Sequence, residues 1–147
     1  GANWQTIPHT VLIDRLIREG KLSVKRDATQ KITFHDPCYL GRHNDIMDEP
    51  RSVVAALGEL VEMPRNRKDS FCCGAGGGNY WSREAGTARI SDVRVAEALD
   101  TGADKIATSC SFCLLMLGSS AAKHTEQRKV FELAEIVVES LQDGTGT

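Results

Sequence analysis

Cys38, Cys72, Cys73, Cys110 and Cys113 stand in the pattern C-x33-CC-x36-C-x2-C, which uses every cysteine of the 147-residue chain. The adjacent pair is poorly placed for a mutual disulfide, which needs Cα atoms farther apart than one peptide unit and a particular torsion. Such thiols read as ligands, because thiolate is the metal-binding form and is favoured near helix N-termini by free N–H groups and the dipole. After the pair comes Gly74-Ala75-Gly76-Gly77-Gly78, a backbone with almost no side chains. It permits positive φ angles and lets N–H groups approach something bulky and negatively charged.

Four thiolates would complete a structural zinc site, yet such sites usually pair two C-x2-4-C knuckles, and only Cys110 and Cys113 form one. Five sulfurs exceed what zinc needs. Iron–sulfur clusters accept all-thiolate shells, and a multi-iron cluster that departs from a cube can use a fifth cysteine. The plainer alternatives are buried small hydrophobes or adventitious disulfides, which the spacing disfavours. A phosphate-cradling loop lacks the Lys-Ser/Thr pair that should follow its glycines. A thiol–disulfide enzyme using Cys110 and Cys113 alone lacks a thioredoxin-like context.

The elements that must position these thiols follow from periodicity. A helix is expected over 9–19, with apolar residues at 12, 13, 16 and 17 and Gly20 as its stop. Residues 31–35 read as a β-strand ending at Asp36-Pro37-Cys38, since Pro37 cannot continue a ladder. Pro50 opens a helix over 51–57 closed by Gly58, and 59–63 read as a second strand stopped by Pro64. A long helix is expected over 79–99, with apolar positions 90, 93, 95, 96 and 99. A third strand over 105–109 leads into a helix from Ser111, a short fourth strand covers 129–131, and a helix over 133–141 closes the chain. Alternating strands and helices predict a layered α/β fold of Rossmann-like type, a mainly parallel sheet flanked by helices. Such a sheet puts the C-terminal ends of its strands on one edge, where ligands bind. Cys38, the Cys72-Cys73 pair and the Cys110/Cys113 pair each follow a different strand, so the fold should gather them at one mouth.

Length fits one compact domain, and apolar content reaches about half once the 13 glycines join the 41% of larger hydrophobics. A net charge of −2 gives no footprint for nucleic acid. There is neither an apolar run of membrane-spanning length nor a charged and then apolar leader. An odd number of cysteines in adjacent and i, i+3 pairs suits the reducing cytoplasm.

With the CCGAGGG loop, the segments His35-Asp36-Pro37-Cys38-Tyr39-Leu40-Gly41-Arg42 and Thr108-Ser109-Cys110-Ser111-Phe112-Cys113 resemble the cysteine-rich CCG domain. That domain occurs in heterodisulfide reductase, in iron–sulfur subunits of glycolate and anaerobic glycerol-3-phosphate dehydrogenases, and in lactate-utilisation proteins. The resemblance covers about residues 31–141. It implies that Cys38, Cys72, Cys73, Cys110 and Cys113 bind a noncubane [4Fe-4S] cluster, with zinc as the alternative some family copies hold. It also implies electron transfer within an oxidoreductase, with thiol–disulfide chemistry as a second use of the same centre. The loop is most similar to those of large iron–sulfur oxidoreductases found beside electron-transfer flavoproteins and acyl-CoA dehydrogenases. Partners implied are therefore other domains or subunits of an electron-transfer complex, an electron-transfer flavoprotein or an FAD-linked dehydrogenase. One CCG copy without ferredoxin-like cysteines points to the C-terminal domain of a longer chain, whose independent catalysis is not expected. The rival reading is a non-catalytic, zinc- or cluster-stabilised module that docks subunits.

Residues 1–30 are assigned to an N-terminal helix and linker, 31–142 to the CCG domain and 143–147 to a tail. Behind the thiols, His35 is expected as hydrogen-bonded support, with Gly74, Gly76, Gly77 and Gly78 supplying N–H groups. Asp36 is expected to cap its own turn. Arg42, His43 and Asn44 face either solvent or a partner, the basic run 65–68 reads as a solvated loop, and Tyr80 and Trp81 read as core or lid.

Overall fold

The computed structural model describes residues 1–82 and 88–142. Its centre is a four-stranded parallel sheet of order β2-β1-β3-β4. The strands are β1 (Lys31–Phe34), β2 (Glu59–Leu60), β3 (Lys105–Thr108) and β4 (Val130–Glu132). Around them, among the described residues, lie α1 (His9–Arg18), α2 (Asp48–Leu57), α3 (Ile90–Leu99), α4 (Ser111–Ala121) and α5 (Leu133–Glu139). This is the layered α/β arrangement that the alternation of elements implied.

Residues 32–34 of β1 and 106–108 of β3 are fully buried, because both strands are central and covered on both faces. Their register pairs Thr33 with Ile106 and Phe34 with Ala107. Side-chain alternation then divides the core in two. Ile32, Phe34 and Ala107 pack with Val53, Val54 and Leu57 of α2 and with Leu133, Ile136 and Val137 of α5. Ile106 turns the other way and joins Val95, Ala98, Leu117, Cys73 and Cys113 under α3 and α4. Each fully buried Ile, Leu or Phe contributes about 1.5–3 kcal/mol. The two thiols thus sit in the wall of a packed core.

Several elements differ from expectation. The buried side of α1 is Thr10 and Asp14, with Ile13 and Ile17 packed against the core, while Leu12 is exposed. The strand expected over 59–63 pairs only at Glu59 and Leu60, after one further N–H bond from Val61 to the Ile32 carbonyl at 3.0 Å. Beyond that bond Glu62 turns to Arg51. The helix expected over 79–99 begins at Ile90, after an extended Arg89. Residues 79–81 form a turn, and 83–87 lie outside the described residues, as does the tail 143–147. The buried face of α3 is Ser91, Arg94, Val95 and Ala98, leaving Ile90 and Val93 exposed. Polar side chains win that face because Arg94 finds acceptors on it.

Candidate metal centre

The carboxyl ends of β1, β2 and β3 open on one edge, and each leads towards cysteines. Cys38 lies in the turn after β1, where the N–H groups of Gly41 and Arg42 donate to the Pro37 and Cys38 carbonyls, each at 2.9 Å. Cys72 and Cys73 end the loop that leaves β2. Cys110 is the residue before α4, and Cys113 lies in its first turn.

The structure packs three of the sulfurs together. Cys113 is in hydrogen-bonding contact with both Cys73 and Cys110. Ligand atoms of His35, Cys73 and Cys113 lie within 4.8 Å of one another, and all three residues are buried. Cys72 and Cys38 are partly exposed. The Cys72 sulfur accepts the Gly74 N–H at 3.3 Å.

Hydrogen bonds to sulfur set the protonation pattern. The Cys73 thiol is pulled down to about 4, first by its bond with Cys113, against burial, and further by His35 and the Ala75 N–H. Cys110 is pulled down to about 6, again first by Cys113, aided by the N–H groups of Cys113 and Phe112. Those N–H groups are unsatisfied donors of the helix N-terminus, the placement the sequence implied. Cys113, sharing its proton with two neighbours, is pushed far up. Without a metal the cluster of thiols keeps one proton between two thiolates. A cation with soft-ligand preference would displace that proton.

His35 is 1% exposed and its backbone N–H donates to the Ala107 carbonyl at 2.8 Å, fixing it to β3. Burial lowers its pKa, opposed by contact with Cys73, so the ring is neutral. Arg94 Nε donates to His35 Nδ1 at 3.0 Å. A guanidinium offers only N–H groups, so Nδ1 must be the acceptor and the ring proton lies on Nε2. The ring can therefore donate to the Cys73 sulfur, and it has no free lone pair for a metal. Support of the thiols, as expected for His35, is the role this geometry permits.

The glycine run divides in two. Gly74 is buried at φ +88°, and its N–H, with that of Ala75, reaches sulfur. Gly76–Gly78 form an exposed 3-10 turn around Gly77.

Asp36 does more than cap its turn. Its carboxylate takes Arg51 through two bonds, at 2.7 and 2.9 Å, and the Arg67 N–H at 2.8 Å. Arg51 also binds Glu62 at 2.6 Å and the Met47 carbonyl at 2.9 Å. Burial alone would lower the Arg51 pKa, but its two carboxylates overcome this and raise it. The basic run is likewise no free loop. Arg65 binds Glu97 at 3.1 Å and stacks on Phe71 at 3.9 Å, and Arg67 binds Asp48 at 2.6 Å. Arg42 donates to the Lys68 and Ser70 carbonyls, tying the Cys38 turn to the loop that carries Cys72. Asn44 donates to the Tyr39 carbonyl at 2.5 Å, and the Tyr39 and His43 rings stack at 4.9 Å.

Three aromatic rings gather beside the thiols. Tyr80 lies 5.0 Å from Trp81 and 5.6 Å from Phe112, the residue before Cys113, and Trp81 lies 6.2 Å from Phe112. All are exposed, Trp81 at 76%, so they form a rim and are not core. Arg94 and this rim are what sequence reasoning missed. The signal for Arg94 was faint: Ser91, Val95 and Ala98 share its helical face, and Glu97 follows it by one turn.

The donor set fits a group with several metal ions held by sulfur. It offers soft thiolates, backbone N–H groups aimed at them and the positive end of α4, and it has no carboxylate within the contacting trio. The described residues contain no helix long and apolar enough to cross a membrane.

The CCG cysteine-rich domain matches residues 32–118. The chain is 38% identical to the EtfAB:quinone oxidoreductase of Syntrophomonas wolfei, over 97% of this chain and 21% of that protein. It is 37% identical to the probable iron-sulfur-binding oxidoreductase FadF of Bacillus subtilis, over 96% of this chain and 21% of that one. One subunit of the dihydromethanophenazine:CoB–CoM heterodisulfide reductase of Methanosarcina barkeri is 32% identical over 94% of this chain and 34% of its own length. The chain thus spans between a fifth and a third of the length of these relatives.

Proposed function

The chain belongs to the CCG cysteine-rich domain family of iron–sulfur oxidoreductases, and on that premise we propose that it is the electron-relaying cluster domain of such an enzyme. Cys38, Cys72, Cys73, Cys110 and Cys113 hold the cluster, a [4Fe-4S] group of noncubane type. When bound, that group supplies one-electron redox chemistry and an iron site open to sulfur. The chain's own part is to keep the thiolates deprotonated, donate N–H groups to them from Gly74, Ala75 and His35, and seal one side with its core. Gly76, Gly77 and Gly78 leave the rim beside the pair free of side chains.

The observation that carries this reading is the contact of Cys73, Cys113 and Cys110 at the carboxyl edge of the sheet, with two of the three favoured as thiolates. Electrons then pass to or from other domains or subunits, with an electron-transfer flavoprotein or an FAD-linked dehydrogenase as the redox partner. Five unbridged cysteines suit a reducing compartment, and we place the domain in the cytoplasm. Thiol–disulfide chemistry is compatible with the same centre.

Anaerobic reconstitution tests the proposal. Stoichiometric iron and sulfide, broad visible absorption and an EPR signal on one-electron oxidation or reduction are expected. A colourless protein that holds one zinc ion overturns it.

The exposed rim of Tyr80, Trp81 and Phe112 favours a second reading, a cluster- or zinc-stabilised module that docks a neighbouring polypeptide of the same complex. Cys38→Ala separates the two. A structural site should cost folding, whereas a redox site should lose its spectral signal while the fold survives.

A further inference from the structure

Arg94 is the largest side chain among those fully buried, and none of its contacts is explained by packing alone. Its Nε donates to His35 Nδ1 at 3.0 Å. One terminal nitrogen binds the Arg65 carbonyl at 2.8 Å and Glu97 at 2.9 Å, and the other reaches Ser70 Oγ at 3.4 Å. These partners fix the guanidinium plane from three sides, so the donor aimed at His35 cannot swing away. Ser70 and Arg65 belong to the loop that delivers Cys72 and Cys73, and His35 precedes Cys38 by three residues. Arg94 thus touches both cysteine-bearing loops without touching sulfur.

We propose that Arg94 is a positioning residue for the cluster: by occupying His35 Nδ1 it holds the imidazole in its Nε2–H form and fixes that N–H on the Cys73 sulfur. The inference rests on the functional reading above for its effect on potential, but the tautomer itself does not. A neutral imidazole left alone can place its proton on either nitrogen, and only one choice gives sulfur a donor. An N–H donor to a cluster sulfur stabilises the electron-rich reduced state more than the oxidised one, which raises the reduction potential. A lysine could keep the charge but not the planar fork that reaches His35, Glu97 and the Arg65 carbonyl together.

The test has two parts. Nitrogen-15 NMR of histidine-labelled apo protein, with His35 assigned by its loss in His35→Leu, should show the Nε2–H tautomer. A Nδ1–H tautomer overturns the inference whether or not any variant folds. In reconstituted protein, Arg94→Lys and His35→Leu should each lower the midpoint potential, and the double variant should lower it no further than His35→Leu alone. Additive shifts, or an Arg94→Lys potential equal to that of the parent, overturn the claim that Arg94 acts through His35. If the protein takes up zinc in place of iron and sulfide, the functional reading fails while the tautomer measurement still decides this one.

Discussion

Arg51 and Asp36 meet as a buried, two-pronged pair, at 2.7 and 2.9 Å, joining α2 to the turn that carries Cys38. Both side chains are at most 5% exposed, so neither can exchange its partner for water. Removing one leaves a buried charge alone, which typically costs about 3–5 kcal/mol, whereas replacing both with apolar groups can be nearly neutral. Arg51→Met should therefore lower the unfolding free energy by that amount and impair cluster retention. Adding Asp36→Leu should recover part of the stability but not the turn geometry, because the Arg67 N–H also binds that carboxylate. Urea titration of the parent and the two variants measures this.

The glycine run should be unequally tolerant of alanine. Gly74 adopts φ +88°, and a Cβ there would lie 3.0 Å from Cβ of Ile90. The backbone penalty alone is about 1–2 kcal/mol, and the collision with α3 adds to it. Gly74→Ala should cost about 2–3 kcal/mol and displace the N–H that reaches Cys72, whereas Gly76→Ala, with open space around it, should stay within about 0.5 kcal/mol. Thermal melts and iron content of the two variants decide it.

The centre was more legible in the sequence than its support. Cysteine spacing and the breaks at Pro37, Gly74 and Ser109 located the thiols at strand ends, because local chemistry at those positions is distinctive. The edge strand β2 was read too long, since the apolar Val61 and Met63 mimic a strand although Glu62 is drawn off by Arg51. The inner face of α3 was misread because periodicity counts apolar residues, and Arg94 is buried for its hydrogen bonds. Asp36 with Arg51, and Arg94 with His35, are pairs 15 and 59 residues apart. Neither partner signals the other without the fold.

Acid should loosen the join between α3 and α4. Asp92 accepts Ser120 Oγ at 2.6 Å and Lys123 Nζ at 2.7 Å, and these bonds lower its pKa, Lys123 contributing most. A carboxylate whose folded pKa is depressed adds stability that is present above its unfolded value, about 3.9, and is lost as pH falls through the folded one. Asp92→Asn should then be less stable than the parent at neutral pH, by under about 1 kcal/mol for so exposed a pair. The gap should close below about pH 3, where the parent carboxyl is also neutral. Denaturation curves across pH measure it, and a gap that persists in acid contradicts it.

Trp81 offers an optical report on where the cluster sits. It is one of two tryptophans, the other being Trp4 near the chain start, far in sequence from every cysteine. Its ring contacts Phe112, which lies between Cys110 and Cys113, so a chromophore held by those sulfurs would be close to it. Iron–sulfur groups absorb broadly across the range in which indole emits, and energy transfer over such a short gap is efficient. In a Trp4→Phe background, cluster assembly should quench most of the Trp81 emission, and anaerobic chelation of the iron should restore it. Zinc, which does not absorb there, should leave the emission largely unquenched. Because Trp81 is mostly exposed, Trp81→Phe should change stability by less than about 0.5 kcal/mol, so loss of the signal in that variant would report the site and not unfolding. Emission that is indifferent to iron and sulfide loading would place the cluster away from this rim.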